Sequence, residues 1–496
     1  MRNIKLKLVN LPTQILCLTL VLAIGACSDF LDEDPDNRVE VDNLEKAAQL
    51  LVNAYSLASP NFTDWMTDDV QFTLGTTQRL SHEQIYKWED VTTGPTDADT
   101  PDFFWFQTYE AIAHANEVLQ LLEDLPVDTG EDQARRDAIE AEARLTRAYG
   151  HFMLVNLFGQ HFDANSNSDG VPYIKTPEST FLAEYERKSV RRIYSEVEDD
   201  LLIGLDLVDD SFFENSGKYH FNKNAALAFA SRFYLFSGEF IKCVQYSDQL
   251  LGSNPENFIR DLTSDRFQLA SASVAEYPRL YTSPDLSSNL LLIRKISLVQ
   301  RTDFAYGPER NFYSSLFGSG PLGGLNDERE NPAFVKGLNN VYPARYEGLF
   351  ERASLNSSVG FPYYIHIAFS GEEVVLNRAE ANAYLGNFDR SIDDIQALSE
   401  KRFSGGTPLL TREVLSDFYN SGNDLNNILS YLIFLERRKE FIMQGMRWYD
   451  IKRYQLSVEH DLIDGSLIQL NEDDRRKALQ IPQSAIDVGG LEPNPR

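Results

Sequence analysis

Two stretches of the chain repeat one arrangement: Tyr234-Leu235-Phe236-Ser237-Gly238-Glu239-Phe240 and Glu380-Ala381-Asn382-Ala383-Tyr384-Leu385-Gly386-Asn387-Phe388. In each, an Ala-rich amphipathic helix reaches a glycine able to end it, and a phenylalanine two residues later opens a second helix. This is the pattern of tetratricopeptide-like helix-turn-helix packing. Ala226, Ala230, Ala379 and Ala383 let paired helices approach closely while larger apolar side chains fill the space between them. The units are too few and too unequal for a regular solenoid. Apolar residues also recur at helical spacing over residues 44–58, 105–124, 131–158, 189–208, 222–252, 371–402 and 426–445. An all-α scaffold of helix pairs is therefore expected. Residues 253–362 differ, being rich in Pro, Gly, Ser and aromatics with little periodicity. A segment of that length is more than a connection, so it is expected to hold long irregular loops and minor β-hairpins, and with them function.

The N-terminus is of another kind. Arg2, Lys5 and Lys7 precede an apolar run, Ile15 to Ala26, that is too short to span a bilayer and reads as a secretion signal over residues 1–26. Small residues directly before Cys27 resemble a bacterial lipobox, which makes Cys27 the expected lipidation site. Of the three cysteines, Cys17 leaves with the signal and Cys27 carries lipid, so Cys243 is left without a disulfide partner. Residues 27–43 are acidic and contain proline, as a solvated tether would be. The spacing of its acids falls short of a calcium loop, since it lacks the glycine of the sharp turn and the twelfth-position acid. Lys and Arg total 46 against 75 Asp and Glu, a net charge of -29, and the signal removes basic residues only. Such a chain has no basic face for nucleic acid and is held to a membrane by lipid rather than by headgroup attraction.

Catalytic arrangements are missing where sequence can show them. The 7 histidines include no pair three or four apart, no Gly-x-Ser-x-Gly elbow occurs, and Cys243 lies within a helix where a packed thiol is expected. Gly318 to Gly323 matches a dinucleotide fingerprint by letter, but Pro321 and Gly324 forbid the helix that would hold pyrophosphate. No catalytic residue, metal ligand or cofactor is assigned. The insertion from Gln160 to Gly170 carries Asp163, Asn165, Asn167 and Asp169, yet Ser168 and Ile174 stand where a calcium loop needs Gly and Glu, so it reads as a polar surface loop. Paired carboxylates for glycoside hydrolysis stay open, because their separation is spatial.

Several blocks, in order, resemble one family. Cys27-Ser28-Asp29-Phe30-Leu31 is followed by a helix ending in Ala54-Tyr55. Then come Trp105, Tyr109, Ile112, Ala115-Asn116 and Val118-Leu119, and after them Glu142-Ala143-Arg144, Arg147-Ala148-Tyr149 and Leu157-Phe158-Gly159 with Val171-Pro172. The most specific block runs from Glu436 to Arg453, and Ile481-Pro482-Gln483-Ser484-Ala485-Ile486 closes the series. Together they resemble the SusD/RagB-like nutrient-binding lipoproteins of the Bacteroidetes outer surface. Gln444 and Ala485 stand where that family usually has Glu, each losing one possible ion pair without touching the apolar pattern. The charge-dense block around Glu436 is expected to brace the fold rather than to react.

The resemblance implies a SusD-like region over 44–270 and a SusD/RagB region over 271–496. It also implies a non-enzymatic lipoprotein anchored in the outer membrane that binds oligosaccharide or polysaccharide for nutrient uptake and partners a SusC-like TonB-dependent transporter. Peptide capture, as in the RagB branch, and a surface glycoside hydrolase are the competing functions. A sugar site needs exposed flat rings beside hydrogen-bonding side chains. Loop candidates are Trp65 and Trp88 with Arg79 and Asp97, and Tyr306, Arg310, Tyr313 and Tyr342 in the long irregular segment. For each ring, burial in the core is the competing reading. Trp105, Phe152, Tyr384 and Trp448 are expected to pack helices.

Overall fold

The glycines that close the two repeated units adopt the backbone the sequence asks of them. Gly238 and Gly386 have φ of 74° and 77°. Beyond each, the chain turns back so that the Glu239 amide donates to the Tyr234 carbonyl at 2.9 Å and the Asn387 amide to the Asn382 carbonyl at 2.8 Å. These bonds satisfy carbonyls that a helix end leaves unpaired. The computed structural model describes residues 41–73, 77–92, 94–178, 184–213, 217–302, 304–419 and 424–496. The secretion signal, Cys17, Cys27 and nearly all of the tether lie outside the described residues.

Ten helices carry the architecture: α1 (Leu44–Leu51), α2 (Pro101–Asp124), α3 (Gly130–Phe158), α4 (Val190–Leu207), α5 (Lys223–Phe236), α6 (Phe240–Leu251), α7 (Gly371–Tyr384), α8 (Phe388–Glu400), α9 (Leu425–Phe441) and α10 (Arg447–Arg453). Each stretch with helical spacing is helical over most of its length, the first ending by Ala54 rather than at 58, and polar side chains explain the starts. Thr100 accepts from the Phe103 amide with Pro101 at the first helical position, Thr129 and Asp132 form a reciprocal cap, and Asn222 and Ser370 cap α5 and α7. The pairs α5–α6 and α7–α8 pack as tetratricopeptide-like units, with α7 also against α6 and α9. Ala226, Ala230, Ala379 and Ala383 are buried at these contacts. Cys243 is buried in α6, and burial pushes its thiol up to about 12, so it packs as an apolar group.

The segment over 253–362 contains a small sheet besides its loops. Strands β1 (Asn289–Ile296), β2 (Leu349–Arg352) and β3 (Gly360–Ser370) form an antiparallel sheet ordered β1-β3-β2, with Ile293 opposite His366 and Leu349 opposite Tyr363. Among the described residues no helix is long and apolar enough to cross a membrane.

The charge-dense block is interior. Arg402, fully buried, donates to both oxygens of Glu440 at 2.9 Å, and Arg329 bridges Asp327 at 2.6 Å and Glu436 at 2.8 Å. Arg437 meets Asp450 at 3.1 Å, and Arg453 meets Glu380 at 2.8 Å. Buried charges are tolerated only when paired like this, so the block braces α9 and α10 against the rest of the fold. Gln444 takes the place of a carboxylate by donating to the Glu440 carbonyl and accepting the Tyr346 hydroxyl at 3.1 Å.

Candidate functional site

The two loop regions singled out in the sequence meet in space. Gln71–Phe72 pairs with Tyr306–Gly307, and the rings behind this contact form a continuous stack. Trp88 lies on His460 at 4.4 Å, His460 on Tyr86 at 4.0 Å, and Tyr86 on Tyr306 at 4.4 Å. Phe72 follows at 5.8 Å. Trp65 packs on His82 at 4.0 Å and against Phe304.

This arrangement corrects the expectation of an exposed platform. Trp65, Trp88, Tyr306, Tyr313 and Tyr342 are all buried. Three of their polar ends are spent on the protein: Trp88 Nε1 donates to the Met66 carbonyl at 3.0 Å, the Tyr342 hydroxyl to the Tyr306 carbonyl, and the Tyr313 hydroxyl to the Glu330 carbonyl at 3.1 Å. Rings buried in this way present no open face for a sugar. Trp88 borders a cleft of about 200 Å³ with Asp102 and Arg476. Burial holds His82 down to about 3, with Arg79 adding repulsion, so the ring against Trp65 is neutral.

The polar candidates sit nearer the surface. Half-exposed Arg79 and Asp97 pair at 3.0 Å, and Ser81 also donates to Asp97. Arg310 is exposed.

Exposed rings beside arginines lie instead on the small sheet. Alternation along β3 puts Phe361 and Tyr363 on the outer face, while Tyr364 and His366 face inward and are buried. Phe361 is 55% exposed, and Glu351 stands opposite it on the same face; Phe350 on β2, 38% exposed, pairs with Pro362 and so lies on the other face, the side of Tyr364. On the outer face Arg294 stands 4.4 Å over the Tyr363 ring, while Arg301 stands 5.2 Å over Phe350 on the other side of the sheet. Arg294 also pairs with Glu351 across the sheet. Rings beside guanidinium donors and a carboxylate acceptor supply both needs of a sugar, an apolar face and hydrogen bonds. The period-2 alternation of Phe361, Tyr363 and Ile365 was the sequence signal for this face. Among the described residues no group of three or more His, Cys, Asp or Glu side chains is placed to hold a metal ion.

Comparison with known proteins gives a consistent result. The family model described as "Starch-binding associating with outer membrane" matches residues 29–235, and the model of the SusD family matches residues 372–487. The SusD-like protein P38 of Formosa agariphila is 22% identical over 393 residues, 72% of this chain and 72% of that protein. A solved SusD superfamily protein from Bacteroides thetaiotaomicron superposes with a TM-score of 0.67 at 21% identity, covering 92% of this chain and 100% of its own. A putative sugar binding protein from Bacteroides vulgatus gives 0.69 at 18% identity, over 92% and 99%. A laminarin binding SusD-like protein gives 0.61 at 17% identity, over 91% and 98%.

Proposed function

The chain belongs to the SusD family, and from that membership we propose that it is a non-enzymatic surface lipoprotein that binds oligosaccharide or polysaccharide at the outer membrane and delivers it to a SusC-like TonB-dependent transporter. Lipid on Cys27 is its anchor. The observation that carries the reading is the pair of family matches, which together span more than half of the chain and leave the intervening segment unmatched. That segment holds the outward rings Phe361 and Tyr363 and, on the same face, Arg294 over Tyr363 paired with Glu351. A shared scaffold thus frames a recognition surface of this chain's own.

Sugar contact is assigned to the outer face of the sheet, with Arg79 and Asp97 as further polar contacts. The large negative charge favours neutral over anionic glycans. The test is calorimetry or affinity electrophoresis against a glycan panel and a peptide mixture. Sugar binding that weakens in Phe361→Ala supports the assignment. Peptide-only binding overturns it, and breakdown of the bound oligosaccharide on incubation overturns the non-enzymatic role.

A further inference from the structure

A cleft of about 670 Å³ opens where the turns of the two helix pairs meet the loop after α3 and the chain after α10. Clefts of this size hold small organic ligands. On one wall the rings of Phe240 and Tyr384 stack at 4.4 Å with 3° between their planes. Tyr384, expected from sequence to pack helices, is 42% exposed. It therefore offers the cleft a flat ring held rigid from behind by Phe240.

The floor is polar and incompletely bonded. The Arg453 side chain is only 7% exposed, and its two terminal nitrogens donate to Glu380 at 2.8 and 3.1 Å, one of them also to Asp450 at 2.9 Å. Among the described residues its Nε has no acceptor, and neither does the Tyr454 hydroxyl beside it. Both atoms are closed off from the cleft, so the floor lends it the fixed charge of Arg453 and its ion pairs rather than direct contacts. The rim carries the complementary groups, exposed Glu472 and Asp473, which accept hydrogen bonds, and exposed Gln455, which does both. Exposed acids on this rim outnumber exposed cations, which disfavours uronate or sulfate groups.

We propose that this cleft is a second carbohydrate site, taking a neutral oligosaccharide with one sugar ring against Tyr384 and its hydroxyls bonded to Gln455 and the carboxylates of Glu472 and Asp473. It rests on the carbohydrate-binding reading but assigns a place distinct from the outer face of the sheet.

The test is calorimetric stoichiometry on the mature chain with laminarihexaose, maltohexaose and xylohexaose as probes and an oligolysine peptide as control. Two sites per chain are expected for at least one sugar. Tyr384→Ala removes one of them, and so, separately, does Asp473→Ala, an exposed change that leaves the fold intact. Tyr384→Phe retains both, and Phe361→Ala removes only the other. A single site untouched by Tyr384→Ala and Asp473→Ala overturns the second site and leaves the first standing. A cleft that takes only oligolysine overturns its assignment to sugar, and no saturable binding of any sugar overturns both readings.

Discussion

Asp64 accepts the backbone amide of Gly445 on both carboxylate oxygens at 3.0 Å, joining residues 381 apart in sequence. Asp64 is buried, so deleting its carboxylate leaves the amide unpaired in the interior. Asp64→Ala should cost about 1–3 kcal/mol. Gly445 has φ of 75°, and an added Cβ would lie 3.1 Å from the Pro60 carbonyl oxygen, so Gly445→Ala should cost about 1–2 kcal/mol or more. Urea denaturation measures both, and midpoints equal to the native one would remove this contact from the account of stability.

Acid should weaken the fold in two overlapping stages. Burial holds His82 and His151 down to about 3, whereas an unfolded histidine protonates near 6.5. Stability from keeping them neutral is present above about pH 6.5 and is lost as pH falls toward 3. Burial opposes the charge of Glu440, but Arg402, Arg329 and Arg345 outweigh it and hold the carboxyl at about 2. Its contribution is present above the unfolded value near 4.3 and is lost as pH falls toward about 2. Asp99 and Asp102, which burial raises to about 6, act in the opposite sense between about pH 6 and 4, so the steepest decline of the denaturant midpoint should fall below pH 4. A midpoint unchanged between pH 5 and pH 2 contradicts this.

Glu440→Gln should be among the most damaging single changes. It removes the two-oxygen partner of Arg402, which is fully buried, and leaves it only Glu372 at 3.3 Å, which Arg260 shares, at a cost of about 3–5 kcal/mol. Thermal unfolding of the variant checks it, and a melting temperature within a degree or two of the native value would show the ion web to be dispensable.

Trp88→Ala and Phe361→Ala should part company. Trp88 is 5% exposed and stacked on His460, so its loss should cost about 3–5 kcal/mol of stability. Phe361, on the sheet surface, should leave the melting temperature unchanged while glycan affinity falls roughly tenfold, about 1.4 kcal/mol. The reverse pattern would return recognition to the buried stack.

Cys27→Ala should move the protein from the membrane fraction to the soluble fraction, since the described helices offer no spanning segment. Unchanged retention in fractionated cells would refute the lipid anchor.

The scaffold was legible because its signals are local. Gly238 with Phe240 and Gly386 with Phe388 announce their turns within a few residues, and helical periodicity is internal to each helix. The Glu436 to Arg453 block was recognisable by its order of residues, although its partners Arg402, Arg329 and Glu380 were not. The ring platform was misjudged for the opposite reason. Whether Trp88 is exposed depends on His460, which arrives from the far end of the chain, and Trp65 sits in a short 3₁₀ turn without periodicity. Phe361 carried a strand signal inside a segment read mainly as loop, and Tyr384 is turned outward by the helix end it occupies.

The four tryptophans, Trp65, Trp88, Trp105 and Trp448, are at most 5% exposed. Sugar settling on Phe361 or on Tyr384 therefore touches no indole. A titration followed by intrinsic emission, the customary optical assay for lectin-like proteins, reads flat for this chain even at saturation. A spectral shift on adding glycan carries a different message: the interior has rearranged, and the rings that report it are the ones that hold the fold.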